Sequence, residues 1–141
     1  CDICLQLCRA CITFVGMMKS LFIVGVGSFF GGALRYWLST VVKSCCGQGF
    51  PWGTLAVNLL GCLTFGVLFA LFQRNGAVSS SWCLLLTTGL CGGFTTFSTF
   101  ANESVQMLQQ GNTWGFVGYV ATSVVAGLAL IALGYGVAKG W

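Results

Sequence analysis

Gly92-Gly93-Phe94-Thr95-Thr96-Phe97-Ser98-Thr99-Phe100 sets two glycines, four hydroxyl side chains and three phenyl rings inside a stretch, about Trp82 to Leu108, that is otherwise apolar enough to cross a membrane. A bilayer core holds no water to satisfy a broken backbone. Such an interruption survives only where protein or an aqueous cavity surrounds it. Polar interruptions of this kind mark ion or substrate pathways more often than structural joints. The run contains no acid, no base and no histidine. Whatever passes it is handled by hydroxyls, ring edges and backbone dipoles, not by proton chemistry.

The rest of the chain supports a membrane setting. Of 141 residues, 57% are hydrophobic and only 6% are charged, against about 25% charged in a soluble domain. A soluble fold could not populate its polar shell, so the expected class is an all-α integral membrane protein. The 21 glycines and single proline suit membrane helices that pack closely. Six basic and two acidic residues leave a net charge of +4, too sparse for a nucleic-acid surface. With no histidine, the usual general base and metal ligand are both missing.

Cys45, Cys46, Cys62, Cys83 and Cys91 are scattered among apolar residues, where free cysteine acts as a small packing group. Cys1, Cys4, Cys8 and Cys11 have C-x-x-C spacing, which is a metal-site signature. Their surroundings offer no further ligands, turn glycines or polar sequence, which argues against a zinc or iron–sulfur site. Met17-Met18 is a plausible start, so residues 1–17 are expected to be an extension and 18–141 the membrane domain. No pattern for signal-peptide cleavage is present.

Four apolar segments are expected to cross as helices: about Leu21 to Val42, Thr54 to Phe72, Trp82 to Leu108 with the break, and Trp114 to Ala138. Each approaches or exceeds the ~20 residues that a crossing requires. The connections are short and carry turn residues, among them Gly47, Gly49, Pro51, Arg74, Asn75, Gly76, Gly111 and Asn112. Trp52, Trp82 and Trp114 stand at span ends, where indoles favour the headgroup layer. Four helices cannot enclose a wide conduit, but they can form half of one, so a two-fold homodimer is expected. From Met18 onward, Lys19, Arg74 and Lys139 fall on one side and Arg35 and Lys43 on the other. That leaves almost no positive-inside bias. An unbiased chain can insert both ways, which would build the dimer from oppositely oriented copies.

Several side chains are candidates for ion handling. Asn58 is a lone carboxamide inside the second span; it is either glue between helices or a pore-lining donor. Arg35 either snorkels to the interface or lines a vestibule and concentrates anions. Phe97 and Phe100 are three apart and share a helix face. Ser98, Thr99, Thr95 and Thr96 around them disfavour an ordinary apolar face. Ring edges are electropositive and offer weak contacts that replace part of an anion's hydration without trapping it. Tyr119 and Ser123 are four apart on the fourth span; they either continue a polar track or satisfy backbone carbonyls. Glu103, the sole acid of the membrane portion, is expected to lie at a span end or to be paired.

From Lys19 onward the chain resembles the Fluc or CrcB family of small bacterial fluoride channels. The resemblance rests on three motifs in order: Gly31-Gly32-Ala33-Leu34-Arg35-Tyr36, Gly53-Thr54-Leu55-Ala56-Val57-Asn58, and Thr87-Thr88-Gly89-Leu90-Cys91 running into the opening stretch. It does not cover residues 1–17. It implies an antiparallel, dual-topology homodimer with two fluoride pores, and a structural sodium ion at the dimer centre held by backbone carbonyls where the third helix breaks. By motif, Asn58, Phe97 and Phe100 correspond to pore residues, and Ser98 and Thr99 line the path near the rings. Tyr119 and Ser123 correspond to the polar track. Gly92 and Thr95 correspond to the sodium-binding carbonyls. Gly127 departs from the pattern, standing where some relatives carry a hydroxyl.

The implied protein is a passive channel of the inner (plasma) membrane, surrounded by lipid, that exports fluoride. Fluoride enters as neutral HF, is trapped as the anion in the more alkaline cytoplasm, and leaves under the membrane potential, ~2.3 kcal/mol per charge per 100 mV. No phosphate-binding loop is present for ATP-driven transport. Two other readings are a small dual-topology multidrug exporter, which needs a membrane carboxylate for proton exchange, and a structural membrane protein. An enzyme is disfavoured, since no base is available to activate a serine or threonine.

Overall fold

A computed structural model describes the backbone of residues 2–47, 49–74 and 79–140, and the side chains within those ranges from Val15 onward. The N-terminal cysteines Cys1, Cys4, Cys8 and Cys11 lie outside the described side chains. The described residues form an all-helical protein. Helix α1 (Asp2–Cys46) runs without a break. Helix α2 (Trp52–Arg74) follows. The third crossing consists of α3 (Ser80–Cys83), a π-helical run (Leu84–Cys91), α4 (Gly92–Phe94) and, after a break, α5 (Phe97–Gln109). Helix α6 (Thr113–Lys139) closes the chain. Four helical segments, 15–46, 52–74, 80–109 and 113–139, are long and apolar enough to span a bilayer.

The hydropathy of the surface is that of a protein dissolved in lipid. Phe22, Phe29, Phe30, Val125 and Leu128 are all exposed. The buried set is small and includes Leu55, Val57, Phe94, Met107 and Tyr119. In water such an apolar exterior would aggregate; in a bilayer it is the solvated face. Trp52, Trp82 and Trp114 are exposed near helix ends.

Without a hydrophobic drive between helices, close packing depends on small residues. Helix α1 lies along the first half of the third crossing, and α2 along α6. A Cβ on Gly93 would stand 2.6 Å from the Ser28 carbonyl oxygen of α1. One on Gly134 would stand 2.5 Å from the Leu63 carbonyl oxygen of α2. Neither position accepts even alanine without moving backbone.

The π-helical run was not anticipated from sequence. Thr87 Oγ1 donates to the Cys83 carbonyl at 2.6 Å, and such back-bonding competes with the regular ladder. The break itself falls at Thr95-Thr96. Both residues are extended, with φ/ψ of −79°/156° and −147°/117°. Thr96 then caps α5, its side chain accepting from the Thr99 N–H.

Candidate functional site

The broken backbone is held from outside its own helix. Asn58 of α2 reaches Thr96 with both ends of its carboxamide. Its Nδ2 donates to the Thr96 carbonyl at 3.2 Å, and its Oδ1 accepts from the Thr96 N–H at 2.9 Å. The side chain thus pairs with an extended residue much as a neighbouring strand would. Nδ2 carries a second N–H that the Thr96 carbonyl does not use.

This pairing diverts hydrogen bonds. In a continuing helix the Thr96 N–H would serve the Gly92 carbonyl, but here it serves Asn58. The Thr99 N–H would serve the Thr95 carbonyl, but it donates to Thr96 Oγ1 at 3.4 Å. Gly92 and Thr95 therefore present carbonyls deprived of their helical donors. Gly92 is exposed, and a Cβ built there meets nothing within 4 Å. Both residues border an open groove of about 430 Å³ that also includes Gly61, Cys62, Phe65, Thr88 and Ile131.

A second cleft, about 240 Å³, is lined by Asn58, Cys62, Thr96, Phe97, Phe100, Ser123 and Val124. The Phe97 and Phe100 ring centroids are 5.8 Å apart at an interplanar angle of 48°. Phe97 is 79% exposed and stands at the open edge of the cleft. Ser123 Oγ is buried and has no hydrogen-bond partner. An orphaned hydroxyl on a residue that shares a cleft with two phenyl rings and a carboxamide is a place for a ligand that accepts hydrogen bonds.

A third cleft, also about 240 Å³, contains Arg35, Tyr36, Ser39, Lys43, Thr54, Val57, Thr96 and Thr99. Thr96 borders both this basic cleft and the phenyl cleft. Its hydroxyl lies 3.1 Å from Thr99 Oγ1 and 3.4 Å from Ser98 Oγ. The helix break thus stands between a cleft bordered by two cations and a ring-lined one, at a cluster of hydroxyls. Thr96 was not singled out as a site residue from sequence. The signal for it is the Thr-x-x-Thr spacing at the start of α5, a helix cap whose hydroxyl is then fixed in place.

Tyr119 does not line the phenyl cleft. It is fully buried behind Phe100, with ring centroids 5.1 Å apart. Its hydroxyl donates to Glu103 Oε2 at 2.9 Å, and Thr54 Oγ1 donates to Glu103 Oε1 at 2.8 Å. The paired state expected for Glu103 is what the structure has, with hydroxyls rather than a cation as partners. Tyr119 and Ser123, one turn apart, therefore reach different surroundings: one anchors the acid, and the other borders the cleft with its hydroxyl unpartnered.

These features define a small, multi-pass integral membrane protein whose third crossing helix is broken. The chain belongs to the CrcB family: residues 22–135 match the family described as CrcB-like protein, Camphor Resistance (CrcB). It is similar to a fluoride-specific ion channel FluC of Phocaeicola vulgatus, 46% identical over 83% of this chain and 96% of the relative. Another fluoride-specific ion channel FluC, from Leptospira interrogans, is 42% identical over 82% of this chain and 91% of the relative. One from Chloroflexus aurantiacus is 39% identical over 86% and 97%. The named relatives are ion channels, not enzymes.

Proposed function

We propose that this protein is a passive, fluoride-selective channel that exports cytoplasmic fluoride down its electrochemical gradient. The observation that carries the reading is that Thr96, at the helix break, borders both clefts, in a chain whose relatives are named as fluoride channels. Arg35 and Lys43 raise the anion concentration at the basic cleft. The hydroxyls of Thr99, Thr96 and Ser98 take over part of the hydration shell. The free N–H of Asn58, the hydroxyl of Ser123 and the edges of Phe97 and Phe100 then replace more of it, weakly enough to let the ion leave. Fluoride is the smallest and most strongly hydrated halide, so its selection over chloride requires donors close enough to replace that hydration in a cleft too narrow for the larger ion.

Glu103 supports a channel over a proton-coupled exporter. Its two oxygens already accept from Thr54 and Tyr119, so the carboxylate is committed to a structural task. Tyr119 supports the path from behind, by holding Phe100 and Glu103.

The functional unit in this reading is an antiparallel homodimer with two pores. The exposed Phe97 and Gly92 and the open groove beside Thr95 suit a second copy, and the nearly balanced loop charges suit opposite insertion. A structural sodium ion fits the break. The Gly92 and Thr95 carbonyls lack helical donors, and hard oxygens of this kind bind hard cations. When bound, sodium would be held by these carbonyls and would supply a fixed positive charge beside the break.

The test is purified protein in liposomes under a potassium gradient. Valinomycin should release fluoride and leave chloride inside. Equal release of both anions, or of neither, refutes the proposal.

A further inference from the structure

Cys62 follows Asn58 by four residues on α2, so the two side chains share one helix face. Its half-buried thiol borders the same cleft as Asn58, Phe100 and Ser123. Facing it on α6 is a glycine. A Cβ built at Gly127 would meet only one atom within 4 Å, Cys62 Sγ at 3.5 Å. Residue 127 follows Ser123 by one turn, so a hydroxyl there would extend the polar line that Ser123 begins. The sulfur from α2 stands against that space instead. In the same cleft Ser123 Oγ is buried and unpartnered, which points independently to a ligand that accepts hydrogen bonds.

We propose that Cys62 is a pore-lining residue whose thiol takes up, from the opposite helix, the space beside Gly127. With Asn58 and Ser123 it forms the polar side of the fluoride path in this chain. The proposal rests on the channel reading above. Chemically, S–H is a weak donor on a large, polarizable atom. It assists an anion less than a hydroxyl does and narrows the cleft more. It also makes the path open to thiol chemistry. With methyl methanethiosulfonate, the Cys62 thiolate attacks the sulfenyl sulfur, a mixed disulfide forms, and methanesulfinate leaves with the electron pair of the broken bond. The added S-methyl group then fills the cleft.

The experiment uses the full chain in liposomes. Methyl methanethiosulfonate should cut wild-type fluoride efflux by about tenfold or more, reversed by dithiothreitol, while Cys62→Ser becomes insensitive to the reagent. Cys62→Ala should lower efflux about threefold to tenfold, the scale of one lost neutral hydrogen bond. Adding Gly127→Ser to Cys62→Ala should restore part of that loss, because the new hydroxyl occupies the vacated position. A Cys62→Ala protein that fails to fold leaves the reagent comparison on wild type to decide. Block that persists in Cys62→Ser overturns the proposal. So does a Cys62 adduct, seen by mass spectrometry, that leaves efflux unchanged, or the lack of any adduct at Cys62 in a conducting protein. Wild-type protein that releases no fluoride overturns the channel reading itself, and the role of the thiol with it.

Discussion

Asn58→Asp is the sharpest perturbation available, because it changes charge and one donor while keeping size. In the structure Asn58 Oδ1 accepts from the Thr96 N–H at 2.9 Å and Nδ2 donates to the Thr96 carbonyl at 3.2 Å. Aspartate retains the first contact. In place of the second it sets a carboxylate oxygen against a carbonyl oxygen. Losing that bond and leaving the carbonyl unpaired costs about 1–3 kcal/mol. The charge also acts on the ion. A fluoride passing at ~6 Å in a surrounding of effective dielectric ~20 is repelled by about 3 kcal/mol. At ~1.4 kcal/mol per factor of ten, the charge alone lowers conduction about a hundredfold. The assay is ionic current in planar bilayers, since HF crosses bare lipid and would blur a release assay at low pH. Current should be nearly absent at neutral pH and return in part as pH falls, because the protonated acid is neutral and its single O–H restores the bond to the Thr96 carbonyl but leaves no second hydrogen for the ion. The control is wild-type current across the same pH range. Full current at neutral pH, with the introduced side chain shown to be ionised by infrared spectroscopy, would refute a place for Asn58 beside the ion.

Three further outcomes follow from the same geometry. Phe97→Ile and Phe100→Ile should each reduce fluoride efflux by about tenfold or more while the protein stays monodisperse in size-exclusion chromatography; undiminished efflux in both would reduce the rings to packing. Tags at the C-terminus should be found on both sides of the membrane in accessibility labelling, and a tag confined to one side would exclude opposite insertion. Tyr119→Phe removes one of the two hydroxyls on Glu103 and should destabilise the protein by about 1–2 kcal/mol, read as a lowered Tm in detergent; an unchanged Tm would show that the contact is not a structural anchor.

The membrane class, the number of crossings and the place of the break were legible in the sequence, because each depends on local composition. Span lengths follow from runs of apolar residues measured against a bilayer of known thickness. The second span was expected from Thr54 to Phe72 and forms from Trp52 to Arg74. A polar run in an apolar span signals a break whatever surrounds it, and Thr95-Thr96 is where the helix opens. The pairing of Phe97 with Phe100 follows from helical periodicity alone.

What those residues face was decided only by tertiary structure. Asn58 and Thr96 are 38 residues apart, and nothing local distinguishes a carboxamide that clamps a broken backbone from one that points into a pore. Here a single side chain has the hydrogens for both. Thr54 and Glu103 are 49 apart, so the partner of the half-buried acid was likewise invisible. Tyr119 and Ser123 stand one turn apart and look equivalent on a helical wheel. They diverge because Tyr119 is long enough to pass behind Phe100 to Glu103, whereas Ser123 is too short to reach any partner. Periodicity tells which side chains share a face. The position of the opposing helix decides whether that face meets protein, an ion or lipid, and that position depends on where glycines let two backbones touch.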